Sequence, residues 1–390
     1  MTQFCGRVDT EFISGPQVFD RAIGAVRGHL DKLMVLYDGR VIGGRLHDLV
    51  YETLWAHGFH WTEMDLAEGE GPPFARDALG PSSLAGGEDP SGGSRVVARG
   101  IDIYQRYRLD GILAVGGART LQCAQAIAAA GRFGRRGEGG EPALPLFAVF
   151  TLASSGREGA LPGFAPVGSP GPLPRLLALD PVFAYTGDRG QVAEEIAGLF
   201  CRGLELYLAP GEGAYLQRRL AEGILKTCIH CAGGALRGEE GACGDLLWAL
   251  GLAVSELPGW GRKLPWEVHG MGRQLCDRFD APWGAVLSVL APAWMGYVLR
   301  ATTLEKFAEY GVQVWRLNRE LPKEELARRA IDETQRFFTQ VLGLPERLGE
   351  LGAAGGQLGE LAERAAAPAL QEGVVPLDAA DVLEIYRACL

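Results

Sequence analysis

The chain has 390 residues, 47% of them hydrophobic and 22% charged, which suits a folded protein of about two domains and excludes wholesale disorder. A formal net charge of -10 argues against a broad nucleic-acid-binding surface. No apolar run reaches the roughly 18 residues a membrane-spanning helix needs, so no membrane partner is expected.

Residues 1–9 carry no apolar stretch behind a basic start, so no secretory signal is expected and the implied location is cytoplasmic. The 8 cysteines are accordingly read as reduced thiols.

The first half alternates between strand and helix. Residues 33–37 form a short apolar run, read as a buried strand, and Asp38-Gly39 follow as turn residues. Residues 45–57 have helical spacing through Leu46, Leu49, Val50 and Leu54. Residues 66–94 are rich in Gly, Pro, Ser and acid and are read as a flexible insertion, either a lid or a disordered loop. A helix is predicted over 94–107 with Ser94 as its N-cap. A buried strand over 111–115 runs into Gly116-Gly117 and a helix through 130, and further strands are predicted at 146–150 and 175–179. Strands alternating with helices imply a parallel sheet covered on both faces.

After Asp180-Pro181 the periodicity becomes helical throughout. Helices are predicted at 192–208, 215–232, 245–257, 266–276, 285–300, 303–316, 323–343 and 378–389. The expected fold class is therefore α/β plus all-α: a parallel-sheet, dinucleotide-binding type of domain over 1–185, then a helical bundle over 186–390. Cys228-Ile-His-Cys231 is a CxxC inside a predicted helix, readable as a core-facing thiol pair or as a redox or metal site.

A buried strand ending in Gly116-Gly117 and opening a helix can hold phosphate. Glycine lets the backbone approach an anion, and the helix N-terminus supplies N–H groups and positive dipole. Parallel sheets also use such turns without a ligand. The flanking residues say more. Leu109-Asp-Gly-Ile-Leu-Ala-Val-Gly-Gly-Ala-Arg119, Phe147-Ala-Val-Phe-Thr-Leu-Ala-Ser-Ser-Gly-Arg-Glu158 and Leu177-Ala-Leu-Asp-Pro-Val-Phe-Ala-Tyr-Thr186 resemble the iron-containing (group III) alcohol dehydrogenases, in the branch of the butanol dehydrogenases and broad aldehyde reductases. The likeness continues in Ala221-Glu-Gly-Ile-Leu225, Leu290-Ala-Pro-Ala-Trp294, Lys306-Phe-Ala-Glu-Tyr310 and residues 377–389.

The resemblance implies a fold of the dehydroquinate synthase-like kind, an NAD or NADP cofactor, a divalent metal and a homodimer. The dimer would pair N-terminal strands across its interface, a part residues 4–13 could play. It places the dinucleotide against Asp38, Gly116, Gly117, Ala118, Arg119 and Thr151. Asp38 would favour a free 2′-hydroxyl, hence NAD over NADP, although Asp at a strand exit is also ordinary turn chemistry.

The family holds its metal with an Asp and a His four residues apart on one helix face and with two later His. The ion there polarises the substrate oxygen during hydride transfer. In this chain Gly198 stands at the Asp position, Arg202 at the first His, His269 at the second and Trp283 at the third. Glycine has no donor, the guanidinium cannot be deprotonated and the indole offers no lone pair. His269 alone would not hold an ion, and Cys201, Cys276 or His230 would have to complete a replacement site. The expected site therefore lacks its metal.

Arg119, Arg157, Arg202 and Arg273 stand where the family has small or metal-associated side chains. Either they bind an acidic small molecule by fork-like pairing, or each pairs with a nearby acid such as Glu158, Glu194, Glu195, Asp277 or Asp280. No nucleophile–base pair of convincing spacing marks a catalytic residue. The expected function is a divergent family member without metal-dependent hydride transfer, as a pseudoenzyme or anion binder. The alternative is an active NAD(P)-dependent alcohol dehydrogenase or aldehyde reductase with a remodelled site.

Overall fold

The structure, a computed structural model, describes residues 10–28, 30–39, 42–66, 92–130, 144–151, 174–186, 188–211, 214–254, 257–353, 355–366 and 368–390. These fall into two compact units, one ending at Asp188 and the other running from Arg189 to Leu390.

The first unit is built on six parallel strands: β1 (Glu11–Ser14), β2 (Lys32–Tyr37), β3 (His60–Asp65), β4 (Gly111–Gly116), β5 (Leu146–Phe150) and β6 (Leu176–Leu179). Their order across the sheet is β1-β6-β5-β4-β2-β3. Helices α1 (Val18–Arg27), α2 (Arg45–Ala56), α3 (Gly92–Tyr107) and α4 (Ala118–Ala130) alternate with them. The central strands are buried from end to end. Their side chains nevertheless divide between faces at period two: Leu33, Val35, Leu113, Val115, Phe147 and Val149 join Phe19, Ile23 and Leu54 in one core.

The chain runs outward from β2 to β3, crosses back to β4, then continues to β5 and β6 on the other side. The exits of β2 and β4 therefore lie side by side at a topological switch point, with Tyr37 paired to Val115.

In the second unit nine helices are described: α5 (Arg189–Leu208), α6 (Tyr215–Ala235), α7 (Glu240–Val254), α8 (Glu267–Phe279), α9 (Trp283–Val298), α10 (Leu304–Gln313), α11 (Lys323–Arg336), α12 (Leu358–Ala365) and α13 (Ala379–Ala388). From Leu199 to Leu208 every residue of α5 is buried, and α9 is almost as enclosed, so these two are the interior helices of the bundle. Phe200, Tyr207, Tyr310, Trp315, Phe337 and Phe338 form an aromatic core beside α5.

Several expectations need correction. The predicted N-terminal strand is present as β1, and it pairs in parallel with β6 of its own sheet; residues 4–9 lie outside the described residues. Ser94 lies inside α3, which begins at Gly92, so it is not the N-cap. Most of the 66–94 insertion lies outside the described residues. α7 starts at Glu240, before the predicted 245, and the long helix over 323–343 ends as α at Arg336 and continues as a single π turn over Phe337–Val341. α1, β3 and α12 were not predicted.

Candidate functional site

At the sheet's carboxyl edge, Asp38 leaves β2 next to Gly116 at the end of β4. Asp38 is 3% exposed, and its carbonyl accepts the Ile42 N–H at 2.8 Å, which closes a turn. A Cβ at Gly116 would overlap the Thr120 hydroxyl, so only glycine lets the chain pass this close to the start of α4. The Gly116 carbonyl accepts the N–H of buried Thr151 at 3.2 Å, and the Gly117 carbonyl accepts that of Leu121 at 3.2 Å. Glycines leading straight into a 13-residue helix at a switch point fit a pyrophosphate group. The side chains of Ala118 and Arg119, and all of Arg157, lie outside the described residues.

In the helical unit the four positions that the sequence reading set against the family's metal ligands come together. Gly198, Arg202 and Glu205 follow one face of α5 at spacings of four and three residues. Trp283, the first residue of α9, lies over Gly198: a Cβ there would meet the indole Cδ1 at 3.7 Å. The approach depends on Gly284, where any Cβ would overlap the Glu194 backbone one turn earlier on α5. The Trp283 ring is 5.6 Å from His269, and on its other side His269 is 5.5 Å from Trp266. The guanidinium of Arg202 lies 4.5 Å above the Trp266 ring, and its Nε donates to the Ala253 carbonyl at 3.0 Å.

Trp266 is held at φ 49° and ψ 54°, a left-handed backbone that costs a bulky residue about 1–3 kcal/mol. That conformation aims its indole between Arg202 and His269. The Glu205 carboxylate completes the cluster. One oxygen accepts the Val268 N–H at 2.8 Å and the other contacts His269 Nδ1. Nearby, Glu267 is 1% exposed and accepts the Val374 N–H at 2.9 Å and the Trp294 indole N–H at 3.4 Å. Burial pushes its carboxyl up to about 7, and the charge of Glu205 adds to the rise. Glu205, Trp266 and Glu267 border a crevice with Leu264, Trp294 and Val374, too narrow to hold a water molecule.

Arg202 is thus not the open anion ligand that one of its two readings offered. It is 6% exposed and engaged by a carbonyl and an indole. Arg273 lies on the exposed side of α8, one turn beyond His269. Cys228 and Cys231 are buried in α6, where desolvation pushes both thiols up, Cys231 to about 11, so neither offers a thiolate near neutral pH. Cys201 points its sulfur to the Leu287 carbonyl at 3.7 Å. Glu205, Trp266 and Glu267 were not singled out in the sequence; the α5 periodicity linking Glu205 to Gly198 and Arg202 was the available signal.

The donor set does not fit a divalent ion. Of the four positions the sequence reading set against the ligands only His269 has a ligating atom; Glu205 lies beside it, and a buried cation occupies the same cluster. Among the described residues no group of three or more His, Cys, Asp or Glu is placed to hold a metal.

The whole fold has clear counterparts. A butanol dehydrogenase A structure from Thermotoga maritima, described as NADH-dependent, superposes with a TM-score of 0.77 at 21% identity, covering 100% of this chain and 99% of that one. The Escherichia coli YqhD structure gives 0.77 at 23%, with 100% of this chain covered and 99% of that one. At these identities the likeness establishes the fold: an α/β dinucleotide-type unit followed by a helical unit, the iron-alcohol-dehydrogenase class of architecture. The sequences go further. Residues 205–390 match the C-terminal region of the Fe-containing alcohol dehydrogenase family. The chain is 32% identical over 325 residues to NADH-dependent butanol dehydrogenase B of Clostridium acetobutylicum, covering 77% of this chain and 82% of the relative. It is 28% identical over 300 residues to the NADPH-dependent aldehyde reductase YqhD of Escherichia coli, covering 72% and 77%. The chain belongs to the iron-containing alcohol dehydrogenase family.

Proposed function

We propose that this chain is a divergent member of the family that keeps the dinucleotide-type sheet and has given up metal-dependent hydride transfer. One observation carries the reading: two indoles flank the single imidazole His269, and the guanidinium of Arg202 stacks on one of them. A divalent ion placed there would meet one imidazole nitrogen and the Glu205 carboxylate beside it, two ligands in a cluster that already holds a fixed positive charge. Without a Lewis acid the substrate oxygen loses the polarisation that metal-dependent turnover requires.

The relatives favour a second reading, an active NAD(P)-dependent alcohol dehydrogenase or aldehyde reductase with a remodelled site, because the two named above carry such names. Metal analysis of the purified chain, together with NADH and NADPH oxidation over a panel of aldehydes, separates the two. The expected outcome is no stoichiometric Fe or Zn and no aldehyde-dependent oxidation. A metal ion bound one per chain with turnover would establish the second reading instead.

A further inference from the structure

We infer that Arg202 is a built-in cation: its guanidinium, with Trp283 as a plug, takes over inside the chain the structural part that a metal ion plays in the family. The inference rests on the reading that no metal is held here and adds what stands in its place.

Three features set this cluster apart from accidental loss of ligands. Simple decay would leave small side chains and a water-filled hole, whereas here every gap is filled. The indole of Trp283 covers Gly198 at contact distance, and Gly284 is the residue that allows α9 to bring it there. The buried cation is held from two sides, although its Nη2 makes no hydrogen bond among the described residues. Arg202 has a carbonyl acceptor at 3.0 Å on one side and an aromatic face at 4.5 Å on another, the two partners a buried guanidinium takes readily. Trp266 accepts a left-handed backbone to supply that face, and such strain persists only where the surroundings over-determine it.

The charges balance as well. An Asp with a divalent ion leaves one net positive charge at a centre otherwise made of neutral imidazoles. A Gly with one guanidinium leaves the same. Glu205 lies three residues from Arg202 on the same face of α5, and its buried carboxylate is held by the Val268 N–H and His269 Nδ1. Replacing the ligand Asp by Gly and the ligand His by Arg is thus a matched pair of changes.

Two experiments on the full chain test this. Arg202→Ala opens a guanidinium-sized hole beside Trp266 and the Ala253 carbonyl. Its Tm is expected to fall by about 5 °C or more. About 10 mM guanidinium chloride, far below denaturing levels, should recover part of the loss, while equal sodium chloride or methylammonium chloride should not, and the wild-type Tm should not rise. The second experiment does not depend on that variant folding. Gly198→Asp, Arg202→His and Trp283→His together should bind one Co2+ per chain, read from its visible d–d absorption, with a raised Tm. Wild type should show neither effect. An Arg202→Ala chain as stable as wild type, guanidinium recovery no better than sodium, or a triple variant that binds no cobalt would each overturn the inference. Wild type purified with a stoichiometric metal would instead overturn the proposed function, so the two failures are distinguishable.

Discussion

Glu267 opens α8 with a carboxyl sealed from solvent, and burial raises it from the ordinary 4.5 to about 7. The sign of the effect on stability follows from proton linkage. Between those two values the folded chain holds a proton that the unfolded chain releases, so stability declines as pH rises through the window and levels off above it. The decline is on the order of 3 kcal/mol. Glu267→Gln keeps the shape and removes the ionisation. Thermal unfolding at about pH 5 and about pH 8 is expected to show a smaller drop for the variant than for wild type. Equal drops would mean that Glu267 ionises in the folded chain as it does in water. Nothing in the local sequence marks this residue, because an acid in a first helical turn is ordinary helix chemistry. Only the walls around it, Trp294 and the backbone at Val374, change its character.

Among the elements, α5 and α9 show how close packing positions chemistry. Gly284 sits where a Cβ would overlap the Glu194 backbone, whereas a Cβ at Gly296, later in the same helix, meets nothing. Gly284→Ala should therefore destabilise the chain by about 2–4 kcal/mol by forcing two interior helices apart. Gly296→Ala should be neutral or stabilising by up to about 1 kcal/mol through helix propensity. Urea unfolding of both variants checks the contrast, and similar values would mean α9 does not lie against α5 at Glu194. The elements read from sequence were those with strong periodicity, such as β2, β4, β5 and α5. β3 escaped because it is an edge strand, His-Trp-Thr-Glu-Met-Asp, with only Met64 fully buried and hence no apolar run. α1 escaped as a short amphipathic segment, though Phe19, Ala22, Ile23 and Val26 line one face.

For the whole molecule, the sheet unit has Gly116 and Gly117 at the switch point with buried Asp38 on the adjacent strand, and the proposed loss of metal chemistry concerns the helical unit. The full chain is accordingly expected to bind NADH more tightly than NADPH without turning over an aldehyde. Asp38→Ser should narrow that preference by about 10-fold, since the carboxylate favours a 2′-hydroxyl and opposes a 2′-phosphate. Calorimetric titration with each nucleotide measures this, and an unchanged ratio would leave Asp38 as a turn residue only. No helix among the described residues is long and apolar enough to cross a membrane.

By itself the sequence determined the class of architecture and the family, because periodicity and local motifs are written in consecutive residues. Where the Arg202 side chain lies was decided only by the folded chain. In sequence it could have joined an anion site or paired with an acid; in the structure it stacks on Trp266 and bonds to Ala253, residues 64 and 51 positions away. A side chain's partners depend on which distant segments packing brings to it, and a buried charge takes its role from those partners.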